Sequence, residues 1–284
     1  MGSYVSLIDG HIDYCTDIKN LNERLNDHFT ESLEHFNKDN IVCLCLQGSQ
    51  NYGLDLPESD VDTKLIITPS FKDIALARKP VSTTHIRANE EHIDFKDIRL
   101  YMETFRKQNL NFLEILFTEY YYINPLYQEE WMRLMRNRER IARMNEFRAV
   151  KSMKGIAMEK YHAMEHPYPS KLDVLAKYGY DPKQLHHLVR VRDYIERYIN
   201  GESYYSCLHP EGETWEYLMD IKKGKYDLAA AREIADREIA RAGTIADDFC
   251  RCHLDREDEW ARQLLEDVSY NIMKISVQEE LKNG

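Results

Sequence analysis

At 284 residues, with 43% hydrophobic and 31% charged side chains, the chain is long enough for one substantial core or two modest domains, and its 11 Gly and 8 Pro exclude collagen-like, low-complexity and wholly disordered classes. The formal charge of −11, from 38 Lys and Arg against 49 Asp and Glu, has the sign opposite to that of many nucleic-acid binders, so a nucleic-acid substrate would have to be met by locally gathered cations. No apolar run reaches the roughly 18–20 residues of a membrane span, the opening MGSYVSLIDGHIDYC has no basic segment followed by an apolar block, and six cysteines are scattered without metal-type pairing. A reduced, cytoplasmic protein without a membrane partner is expected.

In chain order, Ile18, Leu21, Leu25, Phe29, Leu33 and Phe36 recur at three- and four-residue steps and predict an amphipathic helix over 18–36, capped by Thr16 or Asp17. The run 41–46 (IVCLCL) is too short for a helix and predicts a buried strand. A loop over 47–59 with two Gly and one Pro leads to a second strand, 60–68, and further strands are predicted over 83–87 and 92–97, the latter running into a helix near 98–107. Segments 111–117 and 119–123 close this mixed part. Beyond residue 126 helical periodicity dominates, over 126–145, 147–165, 182–199, 213–222 and 227 to near the end. Strands first and helices afterwards predict an α+β protein, with a small mixed-sheet domain over 1–125 and an all-helical domain over 126–284.

The chemistry concentrates in GSQNYGLDLPESDVD, residues 48–62. Alternate residues of a strand project to one face, so Asp60 and Asp62 are expected side by side at the start of the second strand. Two adjacent anions repel unless a cation intervenes, and carboxylates with water suit Mg²⁺ or Mn²⁺. Gly48 lets backbone approach a ligand closely, and Ser49 offers a hydroxyl and an amide to phosphate oxygens. Phosphoryl-type transfer commonly wants a further acid on a neighbouring strand. Asp94 alternates with Ile93 and Phe95 and qualifies, with Glu91 and Asp97 as nearby competitors. Lys64 falls on the same face as Asp60 and Asp62, suited either to touching phosphate or, the first expectation, to a surface ion pair with Asp62. Tyr52 is suited either to stacking on a base or to packing under the loop, and Glu114, in an apolar stretch, calls for a partner. Cys250, Cys252 and His253 lack the second half of a zinc site and read as structural.

Together these residues resemble the DNA polymerase beta-type nucleotidyltransferase superfamily, and the stretch 48–62 is most similar to the RNA-repair-associated (RlaP-like) predicted nucleotidyltransferases. Asp94 falls at the third acid of that family, Asn111-Phe-Leu-Glu-Ile-Leu-Phe117 is similar to the element that follows it, and Asp181-Pro-Lys183 with His187 and Arg190 resembles a signature of its helical domain. The resemblance covers roughly residues 40–200. It implies a polymerase beta palm-like catalytic domain and transfer of a nucleotide from a nucleoside triphosphate, ATP foremost, to a hydroxyl. It further implies two Mg²⁺ or Mn²⁺ ions held by Asp60, Asp62 and Asp94, with Asp94 helping to deprotonate the acceptor and Gly48 and Ser49 gripping the β- and γ-phosphates.

Lys183, His187 and Arg190 are spaced i, i+4 and i+7 behind Asp181-Pro182, a favourable helix opening. They form a stripe suited to triphosphate oxygens and are expected to close the site from the helical domain. A solvated face, or one ion-paired to Asp193 and Glu196, is the competing expectation. Two acceptors fit the resemblance: an RNA end, or a protein hydroxyl as in antitoxin-type relatives. A nucleotide-sensing module without turnover, and a helical scaffold with a vestigial first domain, are the competing classes.

Overall fold

A five-stranded mixed sheet is built from β1 (Ile41–Gln47), β2 (Asp62–Ile67), β3 (Ser82–Ile86), β4 (His92–Asp97) and β5 (Tyr121–Ile123), in the order β3-β4-β2-β1-β5. The computed structural model describes residues 21–283; Thr16, Asp17 and the first residues of the expected N-terminal helix lie outside them. β2 is central, antiparallel to β1 and parallel to β4, while β5 and β3 form the two edges, antiparallel to β1 and β4 respectively. All five strands fall before residue 125 and the rest is helical, so the protein is α+β as its periodicities predict.

Period-two alternation divides the sheet into two faces. Leu65, Ile67, Ile93 and Phe95 join Ile41, Leu44 and Tyr122 in a core, covered by Phe29 of helix α1 (Leu21–His35) and by Phe36 just beyond it. Leu21 and Leu25 of the same helix pack with Leu46, Val61 and Tyr120. Each such side chain is worth about 1.5–3 kcal/mol when fully buried. The expected apolar stripe of α1 is only partly used: Leu33 is exposed, whereas His28 and Ser32 are buried. The other face carries residues 62 and 64 of β2 and 92, 94 and 96 of β4.

The described residues fall into two compact units. One takes the chain up to Arg106 with Asn111–Met144 and the residues from Glu257 on; the other takes Lys107–Leu110 and Asn145–Arg256. In the first unit the last helix, Glu259–Asn283, packs on helices Ile98–Arg106 and Gln128–Arg136, and Ser276 donates to the Thr68 hydroxyl at 2.7 Å. In the second, helices Glu146–Ala163, Pro182–Ile199, Gly212–Lys222 and Leu228–Cys252 pack together.

The periodicity expected to run on from 227 is interrupted. Helix Leu228–Cys252 ends at an extended His253, and Asp258 restarts the next one by accepting from the amides of Trp260 and Ala261 at 2.9 and 3.1 Å. Two short helices, Leu172–Tyr178 and Tyr204–Leu208, carried too few turns to be read from periodicity. The arginine-rich stretch 133–148 is matched by acids, Arg133 with Glu130, Arg136 with Glu129, Arg140 with Asp258 and Arg148 with Asp255. No helix among the described residues is long and apolar enough to cross a membrane.

Candidate active site

The turn after β1 is held by its own side chains. Gly48 adopts φ +105° and ψ −163°, a conformation open essentially to glycine alone, and a single 3₁₀ turn, Ser49–Tyr52, follows. The amide of Asn51 donates to the Gly48 carbonyl at 3.0 Å, and its side chain donates to the Leu46 carbonyl at 2.9 Å. Thr118 in turn donates to the Asn51 side-chain oxygen at 2.6 Å. The Gln50 amide reaches the Asp60 carbonyl at 2.5 Å and thereby ties the turn to the start of β2. Tyr52 is buried, which selects packing under the loop over stacking on a base.

Asp60 is exposed and lies immediately before β2 rather than within it, so of the two acids only Asp62 belongs to the strand. Asp62 opens β2. Its Oδ1 accepts from the amide of His92 at 3.0 Å and from the His92 ring Nδ1 at 3.2 Å, and its Oδ2 has no protein partner among the described residues. Asp94 sits one strand over, in register with Lys64, on the same face as Asp62.

Lys64 does not make the surface pair with Asp62. It is 2% exposed, its Nζ lies 3.0 Å from Oδ2 of Asp94, and it rests over the Phe112 ring. Thr84 of β3 donates to Oδ1 of Asp94 at 2.6 Å. Burial would push the Asp94 carboxyl up, but the Lys64 charge and the Thr84 hydroxyl outweigh it and hold the group below its usual range. Lys96, also over Phe112 at 4.0 Å, adds a second cation to this face.

The competing acids have other work. Asp97 is gripped by Arg99 through three hydrogen bonds, and Glu91 is 1% exposed within a ring of donors. Glu114 is buried as well. Cys250 contacts the Phe147 carbonyl, His253 stacks on Phe249, and among the described residues no three His, Cys, Asp or Glu side chains gather as a metal-holding group. The donor set nevertheless suits a hard divalent cation: Asp60 is open to solvent and Asp62 keeps an oxygen without a protein partner among the described residues, while both Asp94 oxygens are taken by protein groups.

In the second unit, Asp181 caps helix Pro182–Ile199 by accepting from the Lys183 amide at 2.9 Å, and Lys183 is exposed. His186 faces inward and donates Nδ1–H to the Leu218 carbonyl at 3.0 Å; burial drops its pKa to about 3. Burial, with His186, Arg190 and Lys183 nearby, likewise pushes His187 well below its ordinary value, so His187 is neutral at pH 7. Arg190 is buried. The cationic character of the stripe therefore rests on Lys183 and Arg190 rather than on His187. Asp193 and Glu196, the expected partners of that stripe, pair with Arg192, Arg197 and Arg241 instead.

Sequence reasoning missed His92, Lys96 and Thr84. The first two share the period of Asp94 on β4 and were legible from it; Thr84 meets Asp94 only through the β3–β4 register.

No protein-family model matches the sequence, and no curated protein matches it. Among solved structures, the chain is similar to a nucleotidyltransferase-like protein from Exiguobacterium sibiricum 255-15, at 9% identity over 80% of this chain and 74% of that one, with a TM-score of 0.29. A likeness this loose carries neither fold nor activity across.

Proposed function

We propose that the protein is a nucleotidyltransferase that moves a nucleoside monophosphate from a nucleoside triphosphate, ATP foremost, to a hydroxyl at an RNA end. The observation that supports this most is the shared sheet face of Asp62 and Asp94 on adjacent parallel strands, beside a turn whose Gly48 and Ser49 have backbone and hydroxyl donors to offer phosphate. In the transfer, the acceptor oxygen bonds to the α-phosphorus, the bond to the β-phosphate oxygen breaks, and pyrophosphate leaves. Asp94 takes the hydroxyl proton. Asp60 and Asp62, joined by Asp94, would hold Mg²⁺ or Mn²⁺, which supplies charge neutralisation and orientation of the attacking and leaving oxygens. Lys64 and Lys96 add positive charge to that face.

Purified protein incubated with each α-labelled nucleoside triphosphate, Mg²⁺ or Mn²⁺, and RNA should transfer label to RNA, and Asp62→Asn should not. Label on protein instead would establish nucleotidylylation of a protein hydroxyl. A second reading, a nucleotide-sensing module without turnover, is favoured by the engagement of both Asp94 oxygens by Lys64 and Thr84. Saturable triphosphate binding without label transfer to any acceptor would select it.

A further inference from the structure

Glu91, the residue before β4, accepts hydrogen bonds from five donors. Arg24 Nη2 and the Val61 amide, the latter at 3.2 Å, meet Oε1; His28 Nε2 at 3.0 Å, Arg87 Nη1 at 2.8 Å and Asn89 Nδ2 at 2.7 Å meet Oε2. Burial alone would push this carboxyl up, but the bonds from His28, Asn89 and Arg24 outweigh it and bring its pKa down to about 2, so Glu91 is fully ionised. His28 has its own pKa lowered, chiefly by burial, and is neutral. Its Nε2–H serves Glu91, which leaves Nδ1 to accept the Thr63 hydroxyl at 2.9 Å.

Two of these bonds have a geometric consequence at the other face of the sheet. Val61 lies between Asp60 and Asp62, beyond the last β1–β2 pair, Gln47 with Asp62, so its amide depends on Glu91. The next residue along from Glu91, His92, donates its amide to Asp62. Glu91 and His92, at the entry to β4, therefore hold Val61 and Asp62, at the entry to β2, and the His28–Thr63 link pins the residue after Asp62. Neutralising Arg24 and Arg87 would need a carboxylate somewhere nearby, but not one bonded to the Val61 amide.

We propose that Glu91 is a positioning residue which, with His28, fixes the backbone of residues 61–63 and so aims Asp60 and Asp62. This rests on the reading of those two acids as cation ligands of the transfer site. The test compares Glu91→Gln with Arg87→Met, which also removes a charge from the cluster but leaves the Val61 bond. Each is assayed at the same interval below its own melting temperature, for exchange of the Val61 amide, for Mn²⁺ binding by calorimetry, and for kcat and KM of transfer.

The single carbonyl of Glu91→Gln is claimed by the three donors at the Oε2 side, which turns its amide nitrogen toward the Val61 N–H. The variant should lose Val61 protection, bind Mn²⁺ about tenfold or more weaker and lose about tenfold in kcat with little change in KM, as expected when a support behind a ligand is cut. Arg87→Met should hold all three close to wild type. Equal losses in both variants, or lost Val61 protection with unchanged Mn²⁺ affinity, would overturn the positioning role while leaving the nucleotidyltransferase reading standing. A wild type that neither binds Mn²⁺ nor transfers nucleotide overturns that reading, and the role of Glu91 with it. If Glu91→Gln does not fold, the near-isosteric Thr63→Val cuts the outer link of the same chain; it should weaken Mn²⁺ binding severalfold, and unchanged affinity would sink the proposal.

Discussion

The Lys64 ammonium lies 3.0 Å from Oδ2 of Asp94 across the β2–β4 pair and 4.3 Å from the centre of the Phe112 ring. A lysine only 2% exposed needs a counter-charge, and Asp94, still 34% exposed, supplies it. The ion pair thus keeps a positive charge where a divalent cation would meet the third acid.

Lys64→Met, which keeps the packing over Phe112, should therefore act in two directions. Stability should fall by roughly 2 kcal/mol, below the ~3–5 kcal/mol of a fully buried pair because water reaches Asp94. Mn²⁺ affinity should rise, because the competing ammonium is gone. Denaturant unfolding and calorimetry read the two effects, and an affinity that is unchanged or weaker would remove Asp94 from the ligand set.

Gly48→Ala tests the turn. An added Cβ would stand 3.4 Å from Oε1 of Gln50, an ordinary contact, so the penalty comes from the backbone at φ +105° rather than from a clash. Such a conformation costs a non-glycine residue on the order of 1–3 kcal/mol. Relaxing it would shift the Asn51–Gly48 bond and with it Ser49. The variant should melt several degrees lower and bind a non-hydrolysable triphosphate more weakly. A melting temperature within a degree of wild type would show that the turn tolerates a side chain.

What the sequence made legible is what local pattern encodes. The apolar run became β1, the alternation of Ile93, Asp94 and Phe95 put the acid opposite the core, and Asp181-Pro182 opened a helix as capping chemistry demands. What stayed hidden depends on partners distant in sequence. Lys64 looks like a surface residue until the parallel β2–β4 register sets it against Asp94. His28 and Glu91 are polar residues in an unremarkable setting until folding seals them together, and nothing local marks helix Glu259–Asn283 as belonging to the first compact unit. The strand bound differs by two residues from the one expected: β2 begins at Asp62, which leaves Asp60 in the preceding loop.

That offset separates the two acids experimentally. Both Asp60→Ala and Asp62→Asn should cut transfer below about a tenth of wild type, since lost cation contacts cost several kcal/mol of barrier. Their stabilities should differ. Asp60 is exposed, so its removal should change stability by no more than about 0.5 kcal/mol. Asp62→Ala strands the His92 amide and should cost about 1 kcal/mol, most of which Asp62→Asn restores through its remaining carbonyl. Transfer assays on the three variants, with melting curves alongside, check both halves. Substantial turnover in Asp62→Asn would sink the assignment.

The second unit should show its own dependence on pH through His186. Burial holds this imidazole neutral, with a pKa of about 3 against the ordinary 6.5, while Lys222, Arg190 and Lys183 add positive charge around it. The unfolded chain takes up a proton as pH falls through 6.5, and the folded chain refuses one until near 3. The contribution of His186 is therefore complete above pH 6.5 and is lost progressively on acidification, on the order of 5 kcal/mol in all. His187, shifted the same way, adds to the slope. His186→Leu removes the titration and keeps the site apolar, while the Leu218 carbonyl loses only one donor at a helix position. Melting temperatures from pH 7.5 to pH 4 should fall more steeply for wild type than for His186→Leu, with the curves parting below pH 6.5. Parallel curves would mean that His186 is protonated in the folded protein, or reached by water.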